Sequence, residues 1–268
     1  MTEIRTLIEL ARSAAAAGAQ VLAKAFTDIR SGTEKLAVRQ KSSPIDLVTD
    51  IDERAQETIV SVIQSRFPDH RFLAEEEGAD QLGDPKCPYR WIIDPLDGTT
   101  NFIHGKEIFG SIVAVEKDGK LLAGAMHLPM LDHEYWGGKG EGAFFNGKPV
   151  KLRATRDLED AVLSCNVRLR AKEQNGTLIV TVPPCGSVEN CGCAAEELGA
   201  VLRGGNDGVF FDGVRLWDIA TGFLMIEEAG GKARYRFKDP KDHRSGLICA
   251  ASTEPIFEEL WEWVEKKM

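Results

Sequence analysis

The stretch Trp91-Ile92-Ile93-Asp94-Pro95-Leu96-Asp97-Gly98-Thr99-Thr100-Asn101-Phe102 constrains this chain more than any other. Three apolar residues, a run that reads as a buried strand, carry two carboxylates into a glycine turn rich in hydroxyls. Pro95 stiffens the turn and denies the strand a ladder partner at that point. Asp94 and Asp97 can therefore converge on one hard cation, with the Leu96 carbonyl between them as a third oxygen donor. Carboxylate and carbonyl oxygens are the ligands that magnesium selects. Gly98 lets the backbone approach a ligand closely, and a helix starting near Thr99 would turn free N–H groups toward a phosphate. The plainer alternative is an Asp-Gly turn in which Asp97 and Thr99 satisfy local backbone groups.

Two further acidic sites bear on that choice. Glu75-Glu76-Glu77 follows a short apolar strand; it is either a solvated face or a cluster that is costly until cations neutralise it. Asp218, after Trp217, stands at the start of an otherwise apolar helix, where the macrodipole alone favours an acid. Together the acids suit a two-metal site, which needs carboxylates bridging ions about 3.5–4 Å apart.

The chain has 268 residues, 43% of them hydrophobic, enough for one large domain or two intimate halves. A formal net charge of -9 repels polyanions, so nucleic acid and anionic membranes are not expected as partners. Such a surface admits a small phosphate ester only where metals or local cations reverse the field. No apolar run approaches the ~20 residues of a membrane span. The N-terminus has the helical spacing Ile4, Ile8, Ala11, Ala15, Leu22 in place of a secretory signal, so a cytoplasmic location is expected. The six cysteines are then reduced thiols, and Cys185, Cys191 and Cys193 lack the spacing of a zinc finger.

Along the chain, helices are expected over residues 3–26 and 50–66. Thr49 caps the second, with Asp52 at the third helical position as in a capping box. Strands follow at 71–73, 90–93, 111–116 and 121–128, with hairpin turns at Asp118-Gly119 and Asn146-Gly147. Beyond residue 155 strands are expected at 161–167, 177–182, 208–211, 233–237 and 247–250. Helices are expected at 193–202, at 216–229 with a Gly230-Gly231 stop, and at 254–267. This order is that of an α+β or layered α/β chain.

Four segments, KSSPIDLVTDID (41–52), FLAEEEG (72–78), WIIDPLDGTTNF (91–102) and WDIATGFLMIEEAGG (217–231), together resemble the inositol monophosphatase family of lithium-sensitive, magnesium-dependent phosphatases. The likeness covers nearly the whole chain. It implies a five-layer αβαβα sandwich, usually a homodimer. Its N-terminal half (1–154) would carry most metal ligands, and its C-terminal half (155–268) Asp218 and the leaving-group contacts. Glu75, Asp94, Asp97, Asp218 and the Leu96 carbonyl would hold two or three Mg²⁺ ions. Thr99, oriented by Asp52, would position the attacking water together with Glu75. Substrate would lie against Asp97, Gly98, Thr99, Cys193, Ala194, Phe211, Asp212 and Asp218.

The resemblance also shows departures. Phe211 stands where a sugar-contacting glutamate is usual, with Asp212 beside it as the substitute if the register shifts by one. Cys193 replaces a hydroxyl residue, and the arginine usual shortly before it is missing. Thr221 replaces a small residue, and the stretch from Ser164 to Glu189 looks short. All are expected on the leaving-group side. The expected reaction is Mg²⁺-dependent hydrolysis of a small phosphate monoester, inositol 1-phosphate with broad specificity. The alternatives are fructose 1,6-bisphosphate, adenosine 3′,5′-bisphosphate or histidinol phosphate, and, in another class, a catalytically silent phosphate-binding protein.

Overall fold

The computed structural model describes residues 2–40, 47–165, 171–174, 177–180, 182–239 and 242–267. Helix α1 (Glu3–Ser31) starts where the Thr2 side chain accepts the Arg5 N–H, and it buries Leu7, Ile8, Ala11, Ala15, Leu22 and Phe26 along one face. It outruns its expected end at residue 26. The apolar period fades there, but local bonds carry the helix on: Thr27 Oγ1 donates to the Ala23 carbonyl at 2.9 Å, and Lys24 pairs with Asp28. Gly32, at φ 77°, turns its N–H back onto the Asp28 and Ile29 carbonyls and ends it. Strands β1 (Val38–Gln40) and β2 (Leu47–Thr49) pair antiparallel and lead into α2 (Asp50–Arg66). The first part of the 41–52 motif, residues 41–46, lies outside the described residues.

A seven-stranded sheet then forms in chain order from β3 (Arg71–Ala74), β4 (Tyr89–Asp97), β5 (Gly110–Lys117), β6 (Lys120–Leu128), β7 (His133–Gly138), β8 (Gly142–Phe145) and β9 (Lys148–Pro149). Only β3 and β4 pair parallel. Both expected hairpin turns have two residues of positive φ, Asp118 (51°) with Gly119 (76°) and Asn146 (46°) with Gly147 (76°). That is the turn whose twist matches antiparallel strands. The short helix α3 (Thr99–Ile103) joins β4 to β5.

The second half comprises β10 (Val162–Cys165), the pair β11 (Ala171–Gln174) and β12 (Thr177–Val180), β13 (Ser187–Glu189), α4 (Ala194–Leu202), β14 (Gly208–Val214), α5 (Leu216–Glu228), β15 (Lys232–Asp239), β16 (Asp242–Ala251) and α6 (Glu254–Lys267). A five-stranded sheet runs β13-β10-β14-β16-β15. The expected strand 161–167 is realised as Val162–Cys165, and residues 166 and 167 lie outside the described residues, as does 181 of the expected 177–182.

Three cores stack these elements into five layers. Leu7, Ile59 and Ile63 of α1 and α2 pack on Trp91, Ile93 and Val113 of the first sheet. Leu198, Phe223 and Met225 of α4 and α5 fill the space between Ile112, Met126 and Tyr135 on one sheet and Val209, Phe211 and Ile248 on the other. Ile256, Leu260 and Trp261 of α6 cover Leu163, Phe210 and Cys249 on the outer face. Phe210 and Phe211 thus enter different cores, as neighbours on a strand must. The layer order is αβαβα, as the sequence implied.

Candidate active site

The β4–β5 ladder pairs Asp94 with Ile112 and next pairs Asp97 with Gly110, skipping Pro95 and Leu96. The irregularity falls at the proline, which has no N–H to give the ladder. The freed Leu96 N–H bonds Asp94 Oδ1 at 3.1 Å, while the Leu96 side chain packs among Phe26, Ile51 and Phe109. Asp94, Leu96 and Asp97 accordingly line one cleft of 240 Å³, together with Glu75, Thr99 and Asp218. Glu75 reaches it from the end of β3, with its N–H on the Ile93 carbonyl of β4 at 3.1 Å.

Asp52, 1% exposed, does two things at once. Its Oδ2 accepts the Thr49 N–H at 2.9 Å and the Thr49 hydroxyl at 2.5 Å, which is the expected capping box at the start of α2. Its Oδ1 lies 3.4 Å from Thr99 Oγ1, which also donates to the Leu96 carbonyl at 3.0 Å. Capping and support of Thr99 are two edges of one carboxylate rather than alternatives.

Asp97 faces the second half of the chain. Its Oδ1 accepts the Ala194 N–H at 3.0 Å, and its Oδ2 the Ala195 N–H at 2.6 Å and the Cys193 thiol at 3.0 Å. Gly98 sits between them at φ 85°. A Cβ there would stand 3.0 Å from the Ile108 carbonyl oxygen and 3.3 Å from Cys193 Cβ, so only glycine fits the turn comfortably. Asp218 Oδ2 closes the first turn of α5 on the Arg215 N–H at 2.8 Å.

These carboxylates repel one another in a dry setting. Burial, and then the charges of Glu75, Asp97 and Asp218, push the Asp94 carboxyl well above the usual range. Burial, with Glu75 next, raises Asp218 to about 8. Burial also raises Asp97, against the lowering effect of the Cys193 thiol and the Ala195 and Ala194 amides. Such a group of acids is stable as anions only beside positive charge. Their donors are all hard oxygens, the set a magnesium ion takes. The residues therefore fit the cation that the sequence implied. Among the described residues no three His, Cys, Asp or Glu side chains close round a single point as they are placed. Asp97 is turned onto α4 and Asp218 onto Arg215.

The far wall of the cleft is made by Asn190, Gly192, Cys193, Ala194, Phe211 and Val214, with Glu197 among them. Phe211 is 2% exposed. Asp212, on β14, pairs with Leu247 of β16 beside the irregularity at Gly213 and is not among the residues lining the cleft. Thr221 lies on α5, in the C-terminal half. Its hydroxyl donates to the Val113 carbonyl at 3.1 Å, and it packs where a Cβ on Gly124 would meet Thr221 Cγ2 at 2.8 Å. It seats α5 on the first sheet and has no part in the leaving-group wall.

Gly192 opens the segment whose Cys193 replaces the family's hydroxyl residue, whereas Asn190, Val214 and Glu197 carried no signal that singled them out. An acid in a helix's first turn reads as dipole compensation. Glu197 is instead buried and raised to about 7 by that burial, although the Cys191 and Gly192 amides oppose the shift. No disulfide forms among the described cysteines. Among the described residues no helix is long and apolar enough to cross a membrane.

The profile of the inositol monophosphatase family matches residues 3–267. The chain belongs to the inositol monophosphatase family. Its relatives include the fructose-1,6-bisphosphatase/inositol-1-monophosphatase of Aquifex aeolicus, 35% identical over 86% of each chain. Among solved structures, the extragenic suppressor protein suhB of Bartonella henselae superposes with a TM-score of 0.81 at 28% identity, covering 98% of this chain and 100% of the other. An IMPase/NADP phosphatase complexed with Mg²⁺ and phosphate gives a TM-score of 0.72 at 25% identity, covering 92% of both. The chain is thus a phosphoric monoester hydrolase of the inositol monophosphatase family, with the mixed α/β fold of its solved members.

Proposed function

We propose that this family member hydrolyses a small phosphate monoester with water as the nucleophile and Mg²⁺ as the cofactor. The observation that carries the reading is the convergence of Glu75, Asp94, Asp97 and Asp218 with Leu96 and Thr99 on one cleft. Glu75, Asp94, Asp97, Asp218 and the Leu96 carbonyl are the groups that would hold two or three Mg²⁺ ions. Bound there, Mg²⁺ would supply positive charge to the transferring phosphoryl group and favour ionisation of water.

The chain's own residues do the rest. The single Thr99 hydroxyl hydrogen is shared between the Leu96 carbonyl and Asp52, so its oxygen would be left to accept a hydrogen bond from the attacking water. Glu75, on the same cleft, is placed to take the water's proton. Gly98 and Thr99 present backbone to the phosphate. As the ester P–O bond breaks, the alcohol leaves toward the wall of Cys193, Ala194 and Phe211, its oxygen taking a proton from water.

Substrate preference follows from that wall. The name of the Aquifex aeolicus relative supports two esters, inositol 1-phosphate and fructose 1,6-bisphosphate. Phe211 offers no hydrogen bond to a sugar hydroxyl, and buried polar contacts are what give an enzyme discrimination of 10⁴ or more, in rough terms. Inositol 1-phosphate should therefore be accepted without strong preference. The test is kcat/KM, with Mg²⁺, for inositol 1-phosphate, fructose 1,6-bisphosphate, glycerol 2-phosphate and adenosine 3′,5′-bisphosphate. A preference for inositol 1-phosphate above about a hundredfold, lost in Asp212→Ala, would overturn the assignment of Phe211 as the wall.

A further inference from the structure

Asp97 is gripped by the Ala194 and Ala195 amides and the Cys193 thiol. Those groups are delivered by a turn, Cys191-Gly192, that is itself stapled from two sides. Asn101, in α3, donates from Nδ2 to the Cys191 carbonyl at 2.8 Å and the Ile108 carbonyl at 2.9 Å. Glu197, one turn into α4, reaches back with Oε1 to the Cys191 N–H at 2.8 Å and the Gly192 N–H at 3.2 Å. Glu197 is 5% exposed. A buried acid bonded to two successive backbone amides fixes that peptide strongly. Released, the turn would be free to rotate the first amides of α4 away from Asp97.

We infer that Glu197 is a positioning residue: it holds the Cys191-Gly192 turn so that the start of α4 presents Asp97 in one orientation to the metal cleft. Its consequence for Mg²⁺ rests on the proposed function, whereas the grip on Asp97 does not. Outer contacts of this kind commonly tune metal affinity by about tenfold to a hundredfold. A proton-transfer role is the rival reading, and chemistry separates the two. Glutamine keeps an oxygen that accepts both amides but cannot exchange a proton.

The experiment uses the full chain as wild type, Glu197→Gln and Glu197→Ala. Hydrogen exchange at the Ala194 and Ala195 amides, measured without metal, reads the grip directly. Calorimetric titration with Mg²⁺ alone reads its consequence. Glu197→Ala should lose protection at both amides and bind Mg²⁺ about ten- to a hundredfold more weakly. Glu197→Gln should keep the protection and stay within about threefold of wild-type affinity. If Glu197→Ala does not fold, Asn101→Ala loosens the same turn from its carbonyl side and should show the same losses. Unchanged protection in the alanine variant would overturn the inference. So would a glutamine variant whose turnover of a simple phosphate monoester, measured at saturating Mg²⁺, falls as far as the alanine variant's, since that is the mark of a proton donor. If protection responds as expected but wild type binds no Mg²⁺, the metal reading fails while the positioning role stands.

Discussion

Asp52 shows how much one side chain can be asked to do. Its two oxygens serve different elements, one the cap of α2 and the other the Thr99 hydroxyl. Asp52→Asn should therefore reduce both stability and turnover. The cap is worth about 1 kcal/mol, or roughly 2–4 °C in a chain of this size. The turnover loss should be much larger than that fraction, because Thr99 loses the charged partner that fixes its proton. Thermal melting and kcat on the same preparation check this; a fall in one without the other would show that the two edges act separately. The residue types at the acidic cleft were legible in the sequence because Asp94, Leu96 and Asp97 sit on one irregular strand end. The facing of Asp212 and the seating of Thr221 were not legible, for a related reason. A strand's facing and a helix's seating depend on register, and one residue of slip inverts a strand's faces.

At the scale of elements, the turn from β4 into α3 carries a steric demand at the cleft itself. Gly98 needs both a positive φ and close approach, whereas Gly105 has a positive φ of 70° with nothing within 4 Å of a built Cβ. The pair isolates one effect from the other. Gly105→Ala should incur only the left-handed strain, a cost of about 1–2 kcal/mol in stability, and keep turnover. Gly98→Ala should melt lower still and lose turnover, because the new methyl pushes the Ile108 carbonyl and Cys193 away from Asp97. Equal effects in the two variants would contradict that account. Most helices and both hairpins were readable here, since caps, apolar periods and Asp-Gly or Asn-Gly turns act locally. Strand β13 was not announced, for it pairs with β10, some way back in the chain. Glu197 was invisible because its function depends on a turn folding back over it.

Across the whole molecule, the cleft joins what the chain keeps far apart: Glu75, Asp94 and Asp97 at the ends of the first sheet, and Asp218 on α5, which packs against both sheets. Assembly of the layers forces these acids together, and the metal-free protein bears the cost. The raised carboxyls set the sign. Asp218, raised from 3.8 to about 8, and Glu197, raised from 4.5 to about 7, hold protons in the folded state that the unfolded chain has already lost. Their stabilising contribution is full below their unfolded values and is lost as pH rises through the folded ones. The Tm of the metal-free protein should fall between about pH 5 and about pH 8, and saturating Mg²⁺ should flatten that fall. A metal-free Tm that rises steadily across the window would contradict this electrostatic picture.

The most direct measurement is turnover of a simple phosphate monoester by wild type and Asp97→Asn, each stripped with excess EDTA and then titrated with Mg²⁺. An amide in place of Asp97 neutralises nothing, and the loss of a charged ligand should cost at least about 10³ in rate. Calcium, with longer bonds and more ligands, should not replace Mg²⁺ and should inhibit. The account predicts no turnover in EDTA, full recovery of wild type with Mg²⁺, and no comparable recovery of Asp97→Asn at any Mg²⁺ concentration. Full wild-type turnover in excess EDTA, or an Asp97→Asn variant retaining about a tenth of wild-type activity, would contradict it.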